Sequence, residues 1–169
     1  MIPADIDEST RAGEVPADYV TRLSTEKARV IAERVGAGFV VVAADTTVDV
    51  DGHILEKPAD DVDARRMLRL LSGRTHLVHT GVTVVGPPGD GAGEDRTGTI
   101  VVETAVRFVE LTDRAIDWYV STGEHVGKAG AYGIQGAAGA FVERIDGSVT
   151  NVIGLPLAET LALIAAAAR

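Results

Sequence analysis

Apolar residues recur at helical spacing between Pro16 and Val35, where Val20, Leu23, Ile31 and Val35 form one stripe that Lys27 interrupts. Pro16 suits the first helical position and Gly36 lies just past the end, so the pattern predicts a helix over 16–35. A lysine in such a stripe either snorkels to the rim or points into a site. Phe39 to Ala44 is an unbroken apolar run of strand length, which predicts a strand covered on both faces with Asp45 at its end. Asp51-Gly52 then turns the chain between Thr47–Val50 and His53–Leu55 as a two-residue hairpin. A second helix is expected over 59–71, burying Val62, Met67, Leu70 and Leu71 and stopped by Gly73. Residues 75–85 and 99–111 are Val-rich and free of proline, so they read as strands paired across the turn-rich stretch 86–98, the segment expected to be least ordered. A third helix follows over 112–122, then a hairpin of 140–145 with 148–153 over Asp146-Gly147, then a last helix over 156–168. Helices and strands alternating in this way predict an α/β fold.

Composition narrows the picture. At 169 residues, 46% of them apolar, the chain fits a single domain spanning residues 1–169. A net charge of −9 argues against a general nucleic-acid binder, whose affinity comes from clustered cations releasing counterions. The absence of cysteine excludes a disulfide framework, a zinc ribbon and a thiol nucleophile. No apolar run reaches membrane-spanning length, and the acidic start is unlike a secretion signal, so the expectation is a soluble cytoplasmic protein. Among sixteen basic residues only Lys27, Lys57 and Lys128 are lysines. In a chain that otherwise writes arginine, those three mark places where a compact ammonium suits better than a planar guanidinium, for instance against phosphate.

Several motifs carry no chemistry. Glycines 127, 130, 133, 136 and 139 fall every third residue, but five repeats without proline are not collagen; they indicate a loop where backbone comes close to something. His76 and His79 lie three apart on a strand and face opposite sides, so they cannot share a metal. What remains are polar residues at the ends of apolar elements, where α/β sheets place their ligands. These are Asp7-Glu8 before the first helix, Asp45-Thr46, Lys57, and Lys128 with Gln135 in the glycine-rich loop. Two acids with lysines nearby are what a metal-assisted phosphoryl site requires: carboxylates hold the cation and position water, and ammonium groups offset phosphate charge.

The strings Ala43-Ala44-Asp45-Thr46, Leu55-Glu56-Lys57-Pro58, Leu71-Ser72-Gly73-Arg74-Thr75-His76, Thr80-Gly81-Val82, Lys128-Ala129-Gly130-Ala131-Tyr132-Gly133-Ile134-Gln135-Gly136 and Asn151-Val152-Ile153-Gly154-Leu155-Pro156 resemble the Maf family of nucleoside triphosphate pyrophosphatases. The resemblance implies an elongated, curved mixed sheet flanked by helices, of the kind shared with inosine triphosphatases. It also implies a cleft that splits the α–β phosphoanhydride of a nucleotide into a monophosphate and pyrophosphate, with Mg²⁺ or Mn²⁺. By the same resemblance Asp45 accepts the proton of the attacking water, with Glu8 beside it at the metal, and Lys27 and Lys57 meet the phosphates. Thr46 and Gln135 together resemble the branch preferring dTTP and UTP over 7-methyl-GTP. The role of Lys128 stays open, as does a homodimer.

Two departures bear on function. Family members carry an early strand and a Ser-x-Ser-Pro-Arg-Arg phosphate-binding turn that neither Arg11 nor Arg22 matches, so the chain reads as shortened at its start, with weaker turnover and a bared sheet edge expected. Glu56 stands where the family has glycine, adding a negative charge beside Lys57. The rival reading is a weak or inactive nucleotide-binding protein that regulates cell division and septum formation. Retention of Asp45, Glu8, Lys27 and Lys57 favours the enzyme.

Overall fold

The computed structural model describes residues 2–36, 38–87 and 96–167. Most of the 86–98 stretch expected to be least ordered lies outside the described residues. The elements are α1 (Pro16–Val35), β1 (Val41–Val50), β2 (His53–Leu55), α2 (Asp61–Leu71), β3 (Thr75–Val85), β4 (Thr97–Phe108), α3 (Asp113–Ser121), β5 (Val142–Asp146), α4 (Val149–Val152) and α5 (Leu157–Ala167), with short 3₁₀ turns at Ala129–Ala131 and Ala137–Phe141. The strands form one five-stranded sheet in the order β2-β1-β3-β4-β5. The α/β class holds, but every described pairing is antiparallel, where the family resemblance implied a mixed sheet.

Central strand β3 organises the molecule, being buried almost throughout. Its odd positions face α1, and the contact is intimate at Gly81, where an added Cβ would stand 2.3 Å from the Val20 carbonyl oxygen. On the even face, His76 and Val78 enter the main core with Leu68 and Leu71 of α2, Tyr119 of α3 and Phe108, while Val82 and Val84 pack beneath α5. Coverage on both faces, expected for 39–44, therefore belongs to β3 instead. Phe39, Val40 and Val42 are exposed large apolar side chains. β3 and β4 pair antiparallel from Thr75 to Val85, as expected for the two Val-rich segments.

Three other expectations are corrected. β1 does not end at Ala44: it runs through Asp45 and Thr46 to Val50, because β3 pairs with it continuously from Val41 to Asp49. Val62 is 73% exposed, since Asp60 caps α2 by accepting from the Asp63 amide and fixes a buried stripe of Ala64, Met67, Leu68 and Leu71. Residues 148–153 form no strand. Ser148 Oγ accepts the Asn151 amide and starts the short helix α4, while the Asn151 side chain donates to the Val78 carbonyl and to Thr104 Oγ1, holding the segment beneath β3 and β4. The other local signals survive. Gly36 ends α1 at φ +76°, and Asp51-Gly52 turns β1 into β2 with both residues at positive φ. Among the described residues no helix is long and apolar enough to cross a membrane.

Candidate active site

β2 pairs with β1 only from Val48 to Val50, so from Val41 to Thr47 the described pairings of β1 are all with β3. A cleft of about 520 Å³ lies along that stretch of β1. Successive strand residues point to opposite faces, so Asp45 and Thr46 serve different walls. Asp45 turns toward α1 and meets Lys27; Thr46 turns toward α4 and meets Thr80. The cleft is thus lined from both sides of β1.

On the first wall, Lys27 Nζ donates to Asp45 Oδ1 at 2.6 Å and lies 2.7 Å from Glu8 Oε1, and Lys57 Nζ donates to Glu8 Oε2 at 2.6 Å. The lysine in the apolar stripe thus points into the site. It can do so because Gly81 pairs with Asp45 and lets α1 lie directly on β3. Tyr19 fixes the segment bearing Glu8 by donating its hydroxyl to the Glu8 main-chain carbonyl at 2.9 Å. Burial pushes the Asp45 carboxyl above the usual aspartate range against the pull of Lys27. Burial acts the same way on Glu8, but the hydrogen bonds from Lys27 and Lys57 outweigh it and hold that carboxyl low. Lys27 is raised: burial disfavours its charge, and the two carboxylates more than offset that.

Glu8, Asp45, Lys57, Thr46, Lys128 and Gln135 all line the cleft. Lys27 stands behind the acids with its ammonium engaged by both, leaving Lys57 and Lys128 as the cations on the open side among the described residues. Glu56 does not capture its neighbour Lys57; it accepts the Thr10 amide at 3.3 Å, and Lys57 goes to Glu8. Arg11 and Arg22 pair with Glu26 and Glu14, away from the cleft lining. Glycine-rich loop residues close the far side, with Gly130 at φ +64° packed so tightly that a Cβ would meet Val48 Cγ2 at 2.9 Å. His76 is in the core beside Tyr132, driven down to about 4 by burial and so neutral, while His79 lies on the other face near Asp49 and Glu103. The two histidines share nothing, as their spacing required.

Glu8 and Asp45 present oxygens within 2.7 Å of one atom, the Lys27 ammonium, so two carboxylates already converge on a single cation. Their all-oxygen donor set fits a hard divalent ion held by one or two carboxylates, with water and substrate phosphate completing its shell. Among the described residues no group of three or more metal-ligating side chains forms, so those remaining positions would fall to water and substrate.

The sequence profile of the Maf-like protein family matches residues 1–167. The chain belongs to this family. A Maf-like relative from Anaeromyxobacter dehalogenans (strain 2CP-C), named dTTP/UTP pyrophosphatase, is 54% identical over 162 residues, which are 96% of this chain and 79% of the relative. Relatives of the same name from Sphingopyxis alaskensis and Shewanella oneidensis are 52% and 47% identical, over 95% and 99% of this chain and 80% and 84% of their own lengths. Within the Maf-like fold, the sequence alone pointed to the acids and lysines of the cleft but missed Tyr19, Thr80 and Asn151. Thr80 and Asn151 sit inside family strings, yet nothing local marks them; only the register of β1 on β3 sets Thr80 opposite Thr46.

Proposed function

We propose that this protein is a nucleoside triphosphate pyrophosphatase acting on dTTP and UTP in the cytoplasm, where the nucleotide pool lies. The observation that carries the reading is the cleft along β1, with acids and lysines on one wall and the Thr46 hydroxyl on the other. Three relatives at about half identity bearing that activity in their names support it. In this reading the triphosphate lies along Glu8, Asp45, Lys57 and Lys128, and the base lies toward Thr46 and Gln135. Asp45 takes a proton from water as the water oxygen attacks the α-phosphorus; the bond to the bridging oxygen breaks and pyrophosphate leaves with the electron pair. Its raised carboxyl makes it a better base than an ordinary aspartate, provided the pH keeps it ionised. Lys57 and Lys128 offset charge on the leaving pyrophosphate, and Tyr19 keeps Glu8 in place. Mg²⁺ or Mn²⁺, held by Glu8 and Asp45, would supply charge neutralisation at the phosphate oxygens.

A panel of triphosphates assayed for pyrophosphate release tests the reading. dTTP and UTP are expected to exceed ATP, GTP and 7-methyl-GTP. GTP or 7-methyl-GTP as best substrate would overturn the base assignment, and orthophosphate as the product would overturn the reaction.

A further inference from the structure

The base-side wall contains a chain of oxygens whose protons have one consistent arrangement. Thr80 is fully buried in the central strand, and its Oγ1 lies 3.0 Å from the main-chain carbonyl of Asn151 and 2.9 Å from Thr46 Oγ1. Two oxygens at such a distance need a proton between them. The carbonyl has none, so the single Thr80 proton must point at Asn151. The contact between Thr46 and Thr80 then takes the proton of Thr46. With its only proton turned inward, Thr46 can meet a ligand in the cleft only as an acceptor.

The far end of the chain is firmly held. Asn151 is fully buried, its amide donates to the Val78 carbonyl and Thr104 Oγ1, and its carbonyl also accepts the Gly154 amide at 2.8 Å. Gly154 lies beside Thr46, where an added Cβ would stand 3.5 Å from Thr46 Oγ1, an ordinary van der Waals contact. The hydroxyl thus has a fixed partner behind it.

We propose that Thr80, anchored on the Asn151 carbonyl, is a positioning residue that fixes Thr46 as an acceptor and thereby selects bases carrying an imide N–H. This rests on the pyrophosphatase reading above and deepens it. Uracil and thymine offer a donor at N3, whereas cytosine offers a lone pair there, so the same hydroxyl that binds the first pair opposes the third. A rotating hydroxyl would serve either, because it can donate or accept.

The test is the ratio of kcat/KM for UTP over CTP, measured by pyrophosphate release in the wild type, Thr80→Val and Thr80→Ser. The wild type should favour UTP. Thr80→Val frees the Thr46 proton, and the ratio should fall by about tenfold, the size expected when a hydroxyl no longer opposes the wrong partner. The fall should come chiefly from improved CTP turnover, which general damage to the fold would not produce. Thr80→Ser keeps the proton and should keep the ratio. Thr80→Ala removes the hydroxyl without adding bulk and serves as the second variant if valine does not fold. An unchanged ratio in a folded hydroxyl-free variant, or equal use of UTP and CTP by the wild type, overturns the proposal while leaving the pyrophosphatase reading intact. Failure of the wild type to release pyrophosphate from any triphosphate overturns both.

Discussion

Asp45, Glu8 and Lys27 form a unit in which each group sets the charge of the others. Asp45→Asn keeps the shape but cannot accept the proton, so turnover of dTTP should fall by ~10²–10⁴ with the melting temperature nearly unchanged. Turnover within a few-fold of the parent would remove Asp45 from the role of base. The pH profile reports the same unit. Burial raises Asp45, so the acid limb of kcat/KM should lie above the pH of an ordinary aspartate, activity being lost as pH falls through the raised value. Lys27 is the nearest group opposing that shift, so Lys27→Met should move the limb to still higher pH and lower kcat/KM. Lys57→Met should weaken substrate binding with little change in the limb, since Lys57 contacts Glu8 and lies on the open side. A limb unmoved by Lys27→Met would return that lysine to a packing role.

At the scale of elements, the α1–β3 contact decides whether these residues meet. Gly81→Ala would drive a methyl into the Val20 carbonyl and the Ser24 hydroxyl, so α1 must lift from the strand, costing about 1–3 kcal/mol of stability in a urea titration. Lys27 rides on the same helix, and turnover should fall with it; a fully active Gly81→Ala would show that the close approach is dispensable. The ends of α1 were legible in the sequence because Pro16 and Gly36 act locally. The 39–44 run misled because hydrophobicity does not say which strand is central: among the described residues Val41 to Thr47 of β1 pair only with β3, and β3 takes the doubly covered place. Residues 148–153 misled for a different reason. Their strand-like pattern is overridden by the Ser148 cap and by Asn151, whose partners lie on β3 and β4, far away in sequence.

For the whole molecule, an acidic chain of net charge −9 gathers its three lysines around one cleft. That concentration was readable from composition and order, because a lysine in an arginine-writing chain stands out wherever the fold later puts it. The partition of the cleft was not readable, since it depends on Asp45 and Thr46 lying inside β1, with their side chains on opposite faces. In the proposed reaction water attacks the α-phosphorus of a pyrimidine triphosphate bound in this cleft. Hydrolysis of dTTP in ¹⁸O-labelled water, with the products separated and weighed by mass spectrometry, tests that step. One labelled oxygen in dTMP and unlabelled pyrophosphate are expected; label in the pyrophosphate, or release of dTDP with orthophosphate, would rule the step out.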